Sequence, residues 1–108
     1  EIWLTFSDPQ KKKARKRLTS PLFIDRYRQI LKSDGIINLK TDSDLLYEYS
    51  LEQCEENVYE ILFQTNELYE HGIHQLDEYH KDILNIRTYY EQMWLEQGIK
   101  IKYLKFRI

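Results

Sequence analysis

Glu1-Ile2-Trp3-Leu4-Thr5-Phe6-Ser7-Asp8-Pro9-Gln10-Lys11-Lys12-Lys13-Ala14-Arg15-Lys16-Arg17-Leu18 is the stretch on which the reading of this chain turns. Ile2, Leu4 and Phe6 alternate with Trp3 and Thr5, all of them β-branched, aromatic or leucine, so residues 1–6 read as a buried strand. Ser7-Asp8-Pro9 ends it, because proline lacks a backbone donor and drives the residue before it out of the α region. Asp8 is thereby set at the carboxyl end of a strand, where open α/β sheets place their ligands. Six of the seven residues 11–17 are Lys or Arg. A carboxylate at a sheet rim, followed at once by a cationic loop, points to a polyanion whose reacting part reaches the carboxylate. Two plainer readings stand beside this one: Asp before Pro is a common turn residue, and a run of cations is commonly a solvated loop.

Downstream, Thr19-Ser20-Pro21 is a helix start, a hydroxyl cap followed by proline at the first helical position. Phe23, Tyr27, Ile30 and Leu31 repeat at helical spacing to about Lys32, and Ser33-Asp34-Gly35 stops the helix, with Gly35 free to take a positive φ. Residues 36–41 are apolar enough for a strand buried on both faces. Strand, loop, helix and strand make a βαβ unit, hence parallel strands and a right-handed crossover. Asp42 follows the second strand, so it shares the rim with Asp8; it suits ligand contact, and Asp42 or Ser43 suits equally well as the cap of the next helix, from about Ser43 to Glu56. Tyr47, Leu51, Cys54 and Val58 are in phase there, with Cys54 a small core residue. Val58 to Gln64 is a third strand.

Residues 65–85 read as a mobile surface loop with a helical turn at Leu68-Tyr69-Glu70-His71-Gly72. His71, His74 and His80 fall near Asp77 and Glu78, yet the spacing matches no tetrahedral pattern and no metal is expected. Thr88-Tyr89-Tyr90-Glu91 heads a helix to about Gln97, and T-x-x-E is the pattern of a capping box. Gly98 ends that helix. Ile99, Ile101 and Tyr103 alternate with lysines before the phase moves to Leu104, Phe106 and Ile108. This predicts a bulge near Tyr103 or Leu104, in a last strand that pairs antiparallel at the sheet edge.

At 108 residues the chain is at most one small domain, with 42% hydrophobic residues, enough for a core. Its 16 Lys and Arg nearly balance 18 Asp and Glu, but with the six cations of 11–17 set aside the remaining 10 face all 18 acids. The positive potential is therefore local, as in a binding stripe. A single cysteine, Cys54, excludes an internal disulfide and fits a reducing compartment. No apolar run approaches the roughly 20 residues of a membrane span, and no signal peptide, Walker loop, nucleophile elbow, C-x-x-C or internal repeat is present.

Phe6-Ser7-Asp8-Pro9, Lys12-Lys13 and Lys16-Arg17-Leu18-Thr19 resemble the signature of the bacterial tRNA (guanine-N7)-methyltransferases, the TrmB family. The resemblance continues through Phe23, Tyr27-Arg28-Gln29-Ile30-Leu31-Lys32, Gly35, Leu39-Lys40-Thr41-Asp42 and Tyr47-Glu48-Tyr49-Ser50, and returns at Thr88-Tyr89-Tyr90-Glu91. The chain departs from the pattern at Gln10, where the family usually has Trp, and in a basic loop that is shorter and lacks a His. The resemblance implies the later strands of a Rossmann-like α/β domain, mostly parallel with an antiparallel last strand, and S-adenosylmethionine as co-substrate. It implies Asp8 as the catalytic and cofactor-contacting carboxylate. Lys12, Asp42, Thr88, Tyr89, Tyr90 and Glu91 would contact substrate, and Lys11, Lys13, Arg15, Lys16 and Arg17 would bind the phosphates of tRNA. Such a domain is cytoplasmic, free of membrane, and a monomer or homodimer.

A methyltransferase of this type needs a glycine-rich turn after its first strand, whereas this chain has only Gly35, Gly72 and Gly98 and no G-x-G. The expectation is that the cofactor-binding half lies upstream of Glu1 and that residues 1–108 are the carboxyl-terminal part of a single domain. The competing classes are a truncated RNA-binding fragment without catalysis and a plain protein-interaction domain. The enzymatic reading requires Asp8 exposed at the rim, facing a cation-lined pocket wall, with the basic segment on the side of Asp42.

Overall fold

Alternation along the strands sorts side chains onto two faces, and both faces here are covered. The computed structural model describes residues 1–31, 35–85 and 89–108, the side chains of His71, Tyr89 and Tyr90 excepted. Its regular elements are β1 (Ile2–Thr5), α1 (Pro21–Ile30), β2 (Ile36–Thr41), α2 (Asp44–Glu56), β3 (Glu60–Thr65), α3 (Glu78–Leu84), α4 (Tyr89–Glu96) and β4 (Lys102–Arg107). The sheet order is β1-β2-β4-β3. β1 and β2 are parallel, as the βαβ reading requires, while β4 runs antiparallel to both β2 and β3.

Leu4, Ile37, Leu39, Leu104 and Phe106 turn to one face and are covered by Ile24 of α1 and Leu46, Tyr47 and Cys54 of α2. Burial pushes the Cys54 thiol pKa up to about 12, as expected of a core cysteine. On the other face Trp3, Phe63, Ile101 and Tyr103 pack under the excursion that joins β3 to β4, which contributes Leu68, Ile73, Leu84 and Trp94. The helix starts follow their local signals. Pro21 opens α1 after Ser20, but the hydroxyl cap expected there is not made, the Ser20 Oγ donating to the Arg15 carbonyl instead, and Ser43 caps α2, its Oγ accepting the Leu46 amide proton at 3.1 Å. Gly98 takes φ +83, and the amides of Gly98 and Ile99 reach back to the carbonyls of Leu95 and Trp94, a Schellman ending for α4.

Several expectations are corrected. β4 lies inside the sheet and leaves the edge to β3; its apolar residues serve two covered faces, so the apparent change of phase is alternation on an internal strand. The bulge belongs to β3, where the register slips between Ile61 and Phe63. β3 itself begins at Glu60, because Val58 takes φ 57 in the turn after α2 and is 88% exposed. Residues 65–85 form a packed cover, with a π-type turn at Leu68–Gly72, a 3-10 turn at Ile73–Gln75, and α3. Gly35 is not left-handed; a Cβ there would stand 2.9 Å from Leu31 Cδ1, so close approach accounts for this glycine. Lys32, Ser33 and Asp34, expected to end α1, lie outside the described residues.

Candidate active site and nucleic-acid interface

Because β1 and β2 are parallel, their carboxyl ends share one rim, and Asp8 and Asp42 both leave from it. Asp8 is exposed, and its Oδ1 accepts the Gln10 amide proton at 2.9 Å in an Asx turn. Phe6 and Gln10 flank it with φ of 54 and 50. Two non-glycine residues in the left-handed region within five positions store backbone strain of roughly 1–3 kcal/mol each, a mark of functional turns. Nothing in the residue types foretold this. The turn is held from both sides: the Phe6 amide donates to the Lys40 carbonyl at 2.8 Å, and Arg17 Nε donates to the Pro9 carbonyl at 2.8 Å.

Arg17 therefore departs from the role expected of it. It is 8% exposed, and its guanidinium lies 4.5 Å from the centre of the Tyr49 ring. It anchors the loop to α2 and is not among the cations facing solvent. Further ties come from Ser20 Oγ donating to the Arg15 carbonyl at 2.9 Å and Thr19 Oγ1 meeting Ser50 Oγ at 2.7 Å. Lys11, Lys12, Lys13, Arg15 and Lys16 are all exposed. Lys12, Lys13, Arg15 and Lys16 line a groove of about 590 Å³ whose other wall is Leu22, Phe23 and Arg26 of α1. A pocket with a cationic wall is thus present, but Asp8 does not line it.

Asp42 lines a separate cleft of about 580 Å³ with Asp44, Asn66, Lys100 and Lys102. Lys102 Nζ donates to the Asp42 carbonyl at 2.9 Å and pairs with Asp44 Oδ1 at 2.8 Å. Lys100 pairs with Glu67, whose hydrogen bond and charge hold the ammonium pKa above the ordinary lysine value. The cap expected of Asp42 or Ser43 is made by Ser43, so the Asp42 side chain is not spent on the helix start.

The T-x-x-E stretch resolves unequally. Thr88 and the side chains of Tyr89 and Tyr90 lie outside the described residues. Glu91 is wholly buried. Its Oε1 is 2.8 Å from Lys40 Nζ, and its Oε2 receives the hydroxyl of Tyr69. Lys40 also donates to the Leu84 carbonyl at 3.0 Å, at the end of α3 where a cation is favoured. The buried Glu91 side chain is held in an ion pair with Lys40, and the capping box expected of it with Thr88 lies outside the described residues. Sequence reasoning missed Lys40, although the signal was present: a strand apolar on both faces carries any lysine within it into the interior, which demands a carboxylate.

His80 is buried against Trp3, ring centroids 5.9 Å apart. Its amide donates to Asp77 Oδ1 at 2.9 Å, and this hydrogen bond helps hold the Asp77 carboxyl below its ordinary pKa. Among the described residues no group of three or more His, Cys, Asp or Glu is arranged to hold a metal, and no helix is long and apolar enough to cross a membrane.

The family described as "Putative methyltransferase" (Methyltransf_4) matches residues 1–104. A tRNA (guanine-N(7)-)-methyltransferase of Bacteroides thetaiotaomicron is 55% identical over 108 residues, the whole of this chain and 40% of the relative. That of Porphyromonas gingivalis is 47% identical over 106 residues, 98% of this chain and 41% of the relative. That of Christiangramia forsetii is 40% identical over 111 aligned residues, covering 47% of its length. The chain thus spans somewhat under half the length of these relatives. On this match over residues 1–104 the chain belongs to this methyltransferase family.

Proposed function

We propose that the chain is the carboxyl-terminal part of a cytoplasmic tRNA (guanine-N7)-methyltransferase and supplies the tRNA-facing side of its single catalytic domain. The observation that carries this reading is Asp8: exposed, at the carboxyl end of β1, between two left-handed residues, in a chain 55% identical to a relative bearing that name. S-adenosylmethionine would supply an electrophilic methyl group already activated by its sulfonium. The residues described fit that co-substrate only at Asp8. Close backbone approach to a cofactor needs a glycine free of packing, but Gly35 backs onto Leu31 and Gly72 onto Thr65, while Gly98, with open space around it, is spent at φ +83 on ending α4.

Guanine N7 carries a lone pair and no proton at neutral pH, so the reaction asks for alignment more than for a base. Orientation and exclusion of water can supply roughly 7–11 kcal/mol of such a barrier. Asp8 accepts hydrogen bonds from the guanine N1–H and amino group, which selects guanine and fixes the direction of N7. Asp42, on the same rim, gives a second acceptor. Thr88, Tyr89 and Tyr90 complete the substrate contacts in this reading, and Glu91 acts on the site through Lys40. Lys11, Lys12, Lys13, Arg15 and Lys16 hold phosphates, an attraction that weakens as salt rises because each counterion released on binding then gains less entropy. The guanine leaves its stack to reach Asp8, at a cost of a few kcal/mol.

The test is Asp8→Ala in the full-length enzyme, assayed for N7-methylguanine in tRNA alongside tRNA affinity. Methylation is expected to vanish with binding largely kept. Turnover near the wild-type rate would overturn the role of Asp8.

A further inference from the structure

The cations of this chain divide by their partners. Arg28, Lys40, Lys81, Lys100, Lys102 and Arg107 each lie against a carboxylate. Lys12, Lys13, Arg15, Lys16 and Arg26 do not: among the described residues none has a carboxylate within 4.0 Å. The five converge on one groove, and no acidic residue lines it. Asp25, the nearest acid in sequence to Arg26, is turned to Arg28 at 3.6 Å. A groove lined by five cations and by no acid among the described residues is complementary to an anion.

The groove is not uniformly polar. Leu22 is 45% exposed, and the Arg26 guanidinium sits 5.2 Å from the centre of the Phe23 ring. A guanidinium over an aromatic ring is a flat cationic platform, the kind of surface on which unpaired bases stack. The volume, about 590 Å³, is in the range of small-ligand sites, roughly 300–1,000 Å³.

From this juxtaposition we propose that α1 is part of the nucleic-acid interface: an unpaired RNA base stacks on the Phe23–Arg26 wall while its flanking phosphates lie on the loop cations opposite. This rests on the RNA reading of the basic loop and extends it to a helix and to a mode, base stacking in a single strand. Leu22 closes the floor of the groove beside the base. Neither Asp8 nor Asp42 lines the groove, so it grips RNA at a point other than the reacting guanine.

The protein carrying this chain is titrated with a short oligouridylate and with an abasic phosphodiester strand of equal length, over a range of salt. Phe23→Ala should weaken the oligouridylate about tenfold and leave the abasic strand unchanged. Arg26→Gln, on the exposed surface of α1, should lower the salt slope for both strands by about one; circular dichroism matching the wild type excludes unfolding as the cause. Equal losses for the two strands with Phe23→Ala, an unchanged salt slope with Arg26→Gln, or binding to phosphatidylserine vesicles in place of RNA would each overturn the proposal. Its fate is separable from that of the catalytic reading: loss of methylation in Asp8→Ala with no effect of either groove variant rejects the groove alone. Base-dependent binding with full activity in Asp8→Ala keeps the groove and rejects the active site.

Discussion

The two faces of the sheet are built on opposite principles. The face under α1 and α2 is packed with Leu4, Ile24, Ile37, Leu39, Leu46, Leu104 and Phe106. The face under α3 and α4 sets aromatic rings around buried polar groups. Trp3 stacks on Tyr103 at 6.3 Å, the Tyr103 hydroxyl donates to Asn38 Oδ1 at 2.6 Å, and Lys40 meets Glu91. The first arrangement gains from water exclusion alone and tolerates any side chain of suitable shape. The second works only when every partner is present, and it fixes one placement of the excursion relative to β2. It also ties Glu91 to the strand whose Lys40 carbonyl holds the amide of Phe6. The apolar face makes the fold stable; the polar face fixes where the rim residues stand.

Three outcomes break or sharpen this contrast. The largest effect is expected of Glu91→Ala, which leaves Lys40 charged and buried without its carboxylate and should cost about 3–5 kcal/mol in urea unfolding. The double variant Lys40→Met with Glu91→Leu should recover most of that loss, since an apolar pair of similar volume is often neutral or stabilising. A double variant as unstable as the single would show that the ion pair itself, and not its imbalance, holds this face together. Next is Leu104→Ala on the apolar face, expected to cost about 2–5 kcal/mol through lost transfer energy and the cavity left behind. No second substitution of an ionic kind should restore it. Unchanged denaturation would mean that α2 settles into the space.

The smallest is a pH effect. Burial raises the pKa of Tyr103, and that of Cys54 to about 12, above their unfolded values. A group raised on folding contributes its full stability below the unfolded pKa and loses it as pH climbs toward the folded one. Denaturation midpoints should therefore be flat to about pH 8.5, the ordinary thiol value, and fall above it. In Cys54→Ala the fall should begin later, near the ordinary tyrosine value of about 10. An alkaline limb identical in the two proteins would mean that Cys54 is not shielded as the packing indicates.

What was legible from the residues follows the range of the forces involved. Pro21, Ser43 and Gly98 act within one helical turn, so helix starts and the last helix end were readable. The parallel pairing of β1 and β2 followed from the helix between them. Strand order was not readable, because the partner of β4 is chosen by packing between segments far apart in sequence. Ile101 and Tyr103 on one face, with Leu104 and Phe106 on the other, are what an internal strand with two covered faces requires; they were mistaken for a slip within an edge strand. Val58 looked like strand because it is β-branched, yet the turn after α2 left it outside.

The exposed place of Asp8 at the rim was legible because proline after a strand is a strong punctuation mark. The separation of the basic residues into an anchor, Arg17, and a solvent-facing set was not, since both kinds are cations in one run. Glu91 was expected as a cap and, from the resemblance, as a substrate contact; that Lys40 draws it into the interior was not legible.

The position of β4 has a consequence for the order in which the sheet can assemble. Glu60–Thr65 leaves the ribosome well before Lys102–Arg107, and among the described residues β4 is its one neighbour in the sheet. Until that last segment emerges, β3 presents two open edges, the kind of exposed strand that recruits other chains. Among the described strands, β3 therefore joins the sheet only after β4 has been made.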